Sequence, residues 1–470
     1  MITPFTFKGK IGRAPYAAWS VAIFLSQYLI PLYAGQLRKQ DVWSYLIPHR
    51  ALYAVGGNTD LMQALGAAYL LIVAWVLAAL AFRRANDANV GGWIAAFAIT
   101  PVIQILAVLA LCVAPSEPDR DLVRCFAPSE PDREPRTIVT QAGTSQPIAI
   151  WASAVRGVLA GAVLTLVAVA LGTLVFGTYG SALFLLTPFV VGTVSAYIAN
   201  SRADIGGRQT AWTVAIAVLL GSLTLVAVAI EGLICILMAA PLGLGMALIG
   251  GVLGRAMALQ ARRPAAQTLP CLALLPLMFA VENVLPPVAH LDTEQSIAVA
   301  ALPELVWKSI LSTDPIEGPL ALPFRLGVAY PLRGELRGEG VGAERLGEFS
   351  TGTAIERVTE WVPDQKLAFV VVRDIPGMRE LSPYEHVHAP HVIGYFRTTY
   401  TSFELVRRSD GGTDIIERTS HELRLDPVPY WLPMARWIVR QNNARVLEHI
   451  RSHAERGARS ELGRSMITAD

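Results

Sequence analysis

The sequence predicts two architectures in one chain: a polytopic α-helical membrane region of about seven to eight spanning helices, followed by an α+β soluble domain. Three observations carry this reading. Hydrophobic residues make up 53% of the 470 and charged residues only 16%, where a soluble domain carries about 25% charged. Of the 39 basic and 37 acidic residues, 30 fall before Leu291 and 46 from it onward, so the two parts differ in kind. At the same place the apolar pattern changes from long continuous runs to short alternating ones.

The apolar windows before that break are residues 17–33, 61–82, 93–113, 155–176, 181–198, 212–230 and 233–253. Each approaches the roughly 20 residues that a helix needs to cross about 30 Å of hydrocarbon. An eighth, 269–281, is short and ends at Glu282 and Asn283, so it spans or lies at the interface. Lys8, Lys10 and Arg13 precede the first run as in a signal peptide, but no small-residue cleavage site follows. The run is read as an uncleaved helix. Between the third and fourth windows, a stretch rich in Pro and charge repeats the pattern APSEPDR after Cys112 and again after Cys125. It cannot bury a core and reads as an extended linker.

From Leu291 the expected elements are a strand over 294–300 and a short helix over 304–311 opened by Pro303. Strands then follow over 330–338, 344–350, 354–361, 366–373, 394–405 and 413–425, punctuated by turn residues such as Asp410, Gly411 and Gly412. A long helix closes the domain over 430–456, with Ala435, Val439, Val446 and Ile450 on one face. The resulting division is 1–113, three-helix membrane module; 114–147, linker; 148–288, second membrane module of four to five helices; 289–457, soluble domain; and 458–470, disordered tail.

Net charge is +2, about +6 before Leu291 and −4 after it. No basic patch points to nucleic acid. The four cysteines, Cys112, Cys125, Cys235 and Cys271, imply no disulfide framework. Basic residues at the start and at Arg83 and Arg84 set the N-terminus in the cytoplasm. Arg202, Arg208, Arg255, Arg262 and Arg263 then fall outside if all seven windows cross, against the positive-inside rule. If the third window, which contains Pro101, does not cross, these arginines come inside. A cytoplasmic C-terminal domain is the reading adopted.

Two resemblances follow from particular residues. Phe7, Gly9, Lys10, Ile11 and Arg13 with Tyr16 and Trp19, and Arg83, Arg84 and Asp87 with Gly92 and Trp93, resemble the bacterial membrane family called domain of unknown function 805. Lys10 stands where that family usually has arginine, and the family implies a membrane location and little chemistry. From Leu291 to Glu455 the chain resembles the SRPBCC, or START-like, helix-grip superfamily of polyketide cyclases and lipid-transfer proteins. Pro303, Glu304 and Trp307, the glycines 338, 340 and 342 before Glu348, the pair Glu360 and Trp361, and the closing helix carry this likeness. It implies an apolar cavity between sheet and helix, hence a lipid or other hydrophobic small molecule as ligand beside the bilayer.

Candidate ligand-binding residues are those near the implied mouth or inside strands: Glu348, Tyr384, His386, His388, His391, Tyr395, Arg397 and His421. The histidines alternate in an extended stretch, where imidazoles offer ligands or a base near neutral pH, but no HExxH scaffold accompanies them. Arg397 could fix an acidic head group with two hydrogen bonds. Glu348 and His421 line a cavity or face water according to a one-residue register choice. Glu231 and Glu282 stand out as carboxylates in apolar surroundings, and Gly250 and Gly254 form a G-x-x-x-G that favours close helix packing. No catalytic set, metal site or cofactor motif can be assembled. The adopted function is a membrane protein with a lipid-binding domain, homo-oligomerisation being left open. The alternatives are a cyclase- or hydrolase-like enzyme using the same cavity, and a small-molecule transporter or channel.

Overall fold

The computed structural model describes residues 5–33, 60–100, 103–116, 146–260, 269–384 and 392–467. The repeated linker motif lies mostly outside these, as do His386, His388 and His391. The chain divides into two compact units, one of residues 1–228 with 237–285, the other of Ala229–Ile236 with 286–470.

The first unit contains α1 (Arg13–Tyr33), α2 (Asp60–Asp87), α3 (Ile94–Phe97), α4 (Gln104–Val113), α5 (Gln146–Ala170), α6 (Thr187–Asn200), α7 (Gly207–Ala227), most of α8 (Leu233–Gln260) and α9 (Leu269–Val284). Among the described residues, five helical stretches are long and apolar enough to cross a membrane: Ala64–Asp87, Ile150–Val175, Ala182–Asn200, Gly207–Ala227 and Leu233–Leu259. The expectation of seven to eight is not confirmed by these five. The third window breaks into α3 and α4, and ten-residue α4 spans only about 15 Å, half the hydrocarbon thickness. The eighth is a helix of 16 residues, also shorter than a full crossing.

Arg84 shows why a charge survives among these helices. It is fully buried and donates to the backbone oxygen of Leu111 at 3.1 Å, to that of Ala114, to the Ser116 hydroxyl and to the Asp87 carboxylate. The arginine thus satisfies carbonyls at the open end of α4. Close packing elsewhere is backbone on backbone. A Cβ at Gly192 of α6 would lie 1.9 Å from the Ala247 oxygen of α8, and Cβ atoms at Gly250 and Gly254 would lie 2.0 Å from the Phe189 and Thr193 oxygens. The G-x-x-x-G of α8 is a packing face against α6.

The second unit is built on a seven-stranded antiparallel sheet: β1 (Ala289–Val299), β2 (Pro331–Arg337), β3 (Glu344–Phe349), β4 (Gly352–Val362), β5 (Lys366–Arg373), β6 (Phe396–Arg407) and β7 (Thr413–Leu423), in the order β1-β7-β6-β5-β4-β3-β2. α10 (Pro303–Ile310) and the one-turn α11 (Leu322–Arg325) lie between β1 and β2, and α12 (Val428–Ile467) follows β7. First and last strands pairing around a meander, with one long terminal helix against the sheet, is the helix-grip arrangement. Single-residue alternation makes it possible: in β7 every odd residue from Thr413 to Leu423 is buried and every even one is partly exposed. The turn between β6 and β7 works as its residues dictate, with Gly411 at φ +85° and the Gly412 amide donating to the Asp410 carboxylate at 3.0 Å.

Side chains on the inner face fall into two regions. Toward the C-terminal half of α12, Val299, Val306, Trp307, Val358, Leu367, Phe369, Phe403, Leu405 and Ile415 pack with Leu447, Ile450 and Ala454 into one apolar core. Toward the N-terminal half of α12, the same strands turn polar.

Ala229–Ile236, the turn between α7 and the first residues of α8, belongs to this second unit. Its Leu233 amide donates to the Leu381 oxygen at 3.0 Å, and Cys235 Sγ lies 3.6 Å from Met378 Sδ.

Candidate functional site

The polar region begins on β7, where Glu417, Thr419 and His421 follow Ile415 on the inner face. Thr419 is opposed by Thr293 of β1 and by Thr401 of β6, and His421 by Leu291 and Thr398. The Thr293 and Thr419 hydroxyls share a hydrogen bond of 2.7 Å, and Asn443 of α12 donates to both, at 3.1 and 3.3 Å. His421 bonds through Nε2 to the Thr419 hydroxyl at 2.9 Å and through Nδ1 to the Thr398 hydroxyl at 3.2 Å, and Phe396 stacks on its ring. Hydroxyls can donate or accept, so they suit a neutral imidazole. Burial depresses the His421 pKa to about 4. Asn443→Ala removes the one amide that ties α12 to both hydroxyls. It is expected to cost about 1–2 kcal/mol, read as faster hydrogen exchange of the β1 and β7 amides.

A second set lies one strand pair away. Arg345 of β3 and Glu356 of β4 oppose each other in register and form an ion pair, and the guanidinium lies 4.6 Å from the centroid of the Phe369 ring. Burial raises the pKa of Glu356 in spite of Arg345, and burial likewise raises that of Asp374, which accepts from the Ile375 and Thr398 amides. Glu417 is only 3% exposed, and its Oε2 has no hydrogen-bond partner. Burial pushes its pKa up to about 8, outweighing the attraction of Arg345. Beside it on β1, in register with Glu417, Gln295 carries a buried Oε1 that is likewise unpartnered.

The loops at this end of the sheet are joined to one another. The Ala329 amide donates to the Gly377 oxygen, the Gly377 amide to the Val392 oxygen, and the Arg379 amide to the Gly327 oxygen. They expose large apolar side chains: Leu322, Leu326, Leu381 and Ile393, the last at 67%.

Of the residues singled out from sequence, His421 lies within this region. Tyr384 is exposed in the loop after β5, and Tyr395 is half-buried just before β6, its phenol raised by burial. Glu348 and Arg397 lie on the opposite face. Arg333 holds Glu348 with two hydrogen bonds of 2.7 and 2.8 Å, which lowers the carboxyl pKa, and Arg397 stands opposite Glu422 with a closest approach of 3.9 Å. The physical reason is register: Glu348 is one residue out of step with Arg345 and Gly347, and Arg397 one out of step with Phe396 and Thr398. Glu231 is buried within the Ala229–Ile236 turn. Glu282 is buried on α9 and accepts the Ala182 amide at 2.8 Å, at the helical turn that leads into α6. A carboxylate there complements unpaired amides at a helix start.

Glu417, Glu356, Arg345, Gln295, Thr293, Thr419 and Asn443 went unmarked in the sequence. The signal for the first was present, because Glu417 shares the parity of His421 on one strand.

Residues 4–121 match the family described as "Protein of unknown function (DUF805)". No curated protein matches the chain significantly in sequence. Solved structures similar to it include the Zhui aromatase/cyclase from Streptomyces sp. R1128, at 15% identity over 36% of this chain and 95% of that one, TM-score 0.24. The Aha1 dimer from Colwellia psychrerythraea aligns at 16% identity over 35% and 96%, TM-score 0.21. An uncharacterised protein from Rhizobium leguminosarum aligns at 10% identity over 36% and 97%, TM-score 0.25.

Proposed function

We propose that this chain is an integral membrane protein of the bacterial inner membrane whose helix-grip domain binds a lipid or other hydrophobic small molecule, the helices serving as its anchor. The observation that carries the reading is the contrast within the inner face. Next to a closely packed apolar core lies a region with buried polar groups, two of them unsatisfied, under loops that expose Leu322, Leu326, Leu381 and Ile393. Apolar walls with a few convergent polar groups are what small-molecule sites need, and exposed apolar clusters mark places of contact. The domain division given above, with the sheet domain in the cytoplasm, is part of the same proposal, as is ligand contact by His386, His388 and His391, which lie outside the described residues.

Photolabelling tests it. The full chain in amphipol, incubated with a diazirine-bearing long-chain alcohol, is expected to carry label on peptides from β6, β7 and the first half of α12. Label confined to α2 and α5–α8 would remove the domain from ligand binding.

A further inference from the structure

We infer that Gln295 and Glu417 together receive the hydroxyl group of an otherwise apolar ligand. This rests on the binding role proposed above and names the chemistry of the ligand. The two residues are cross-strand partners on β1 and β7, on the inner face. Two residues further along the same strands, Thr293, Thr419 and Asn443 satisfy one another and His421. At the Gln295–Glu417 rung nothing answers: Oε1 of the one and Oε2 of the other are both buried without a partner. Native proteins pair nearly all such atoms, so two adjacent exceptions ask for a group from outside.

The surroundings restrict what that group can be. An anionic head would place a charge in a buried site whose own guanidinium, Arg345, is already paired with Glu356. A primary ammonium would enter the field of the Arg345 guanidinium, which acts on Glu417 from the same face and is already paired with Glu356. A hydroxyl carries one donor and two acceptor lone pairs on a freely turning bond. It donates to Gln295 Oε1 while the carboxyl of Glu417 supplies or takes the second hydrogen bond. Around the rung stand Phe403, which opposes Glu417 on β6, Ile415 and Ile297. These three side chains are apolar, so the part of the ligand that lies against them is apolar.

The test uses the full chain in amphipol and four matched probes: 1-dodecanol, dodecyl methyl ether, dodecylamine and dodecanoate, each displacing the diazirine alcohol at matched free concentration. Dodecanol is expected to displace it at a concentration about tenfold or more below the ether, since a site with buried unpaired polar groups rejects an analogue that leaves them unpaired. Gln295→Met and Glu417→Met, close in volume, are expected to abolish that preference while the β6 and β7 amides keep their protection from exchange. Alcohol and ether displacing equally, as when a buried water alone fills the rung, overturns the inference and leaves the binding role standing. So does an unchanged preference in both variants, or tighter binding of amine or carboxylate. If the domain takes no label and no probe competes, the binding role fails with it.

Discussion

Replacing Glu417 by glutamine is expected to stabilise the sheet unit increasingly as pH rises, the variant gaining on the parent by about 4 kcal/mol between pH 4.5 and pH 8. The sign follows from burial. In the unfolded chain the carboxyl ionises near its ordinary 4.5, whereas in the folded chain it holds its proton up to about 8. A group whose folded pKa is raised contributes fully below the unfolded value and loses that contribution as pH climbs through the folded one. Glutamine has no proton to lose. His421 tilts the other way: its folded pKa of about 4 lies below the ordinary 6.5, so acid costs stability as pH falls from 6.5, by about 3 kcal/mol at pH 4. The two residues sit four apart on one strand with opposite slopes. Urea unfolding of the full chain, followed by hydrogen exchange in β7, separates them. Parallel stability curves for parent and Glu417→Gln would show that Glu417 is ionised in the folded domain.

Placing valine at Gly250 or Gly254 is expected to prevent assembly of the helical unit rather than weaken it. Overpacking an ordinary core costs about 1–3 kcal/mol because side chains yield. Here the added Cβ would meet the carbonyl oxygens of Phe189 and Thr193 at 2.0 Å, and main chain within a helix has no rotamer to change. α6 and α8 would have to separate along their contact, and with them Gly192 would leave Ala247. Small residues allow this approach between apolar helices, where packing and not hydrophobicity drives association. Gly243 and Gly245 on the same helix have open space around a built Cβ and supply the control. Alanine there is expected to leave yield and thermal aggregation temperature unchanged, while Gly254→Val yields no monodisperse protein. Normal behaviour of Gly254→Val would mean that the two helices do not touch.

The sheet was legible because its strands announce themselves by alternation: 366–373 is found as β5 at those bounds, and 413–425 as β7 two residues shorter. The start of β1 was missed: the strand was expected over 294–300 and begins at Ala289, because Ala289, His290 and Leu291 follow directly on apolar chain and Asp292 and Thr293 read as polar punctuation. The candidate site was less legible for a related reason. β7 alternates strictly, so either register puts Glu417 and His421 together, and only the apolar Ile415 and Leu423 say which face is inner. β3 carries Arg345 and Glu348 among Leu346, Gly347 and Phe349, with no alternation to read. Its inner face is decided by the pairing of Arg345 with Glu356 across to β4, a long-range fact. The third window was less legible as a crossing: composition sees one 21-residue apolar window, whereas the chain forms the separate helices α3 and α4.

The turn Ala229–Ile236 changes what counts as the soluble piece. A truncation that begins at Leu291 would carry every strand but its first two residues, yet it would leave the Leu381 carbonyl without the Leu233 amide and Met378 without Cys235. The loop after β5 would lose contacts from a turn more than 140 residues earlier in the chain. The domain is therefore discontinuous in sequence, and excising it is an amputation rather than a separation. A ligand assay on the excised tail would measure a loop that the whole chain holds differently.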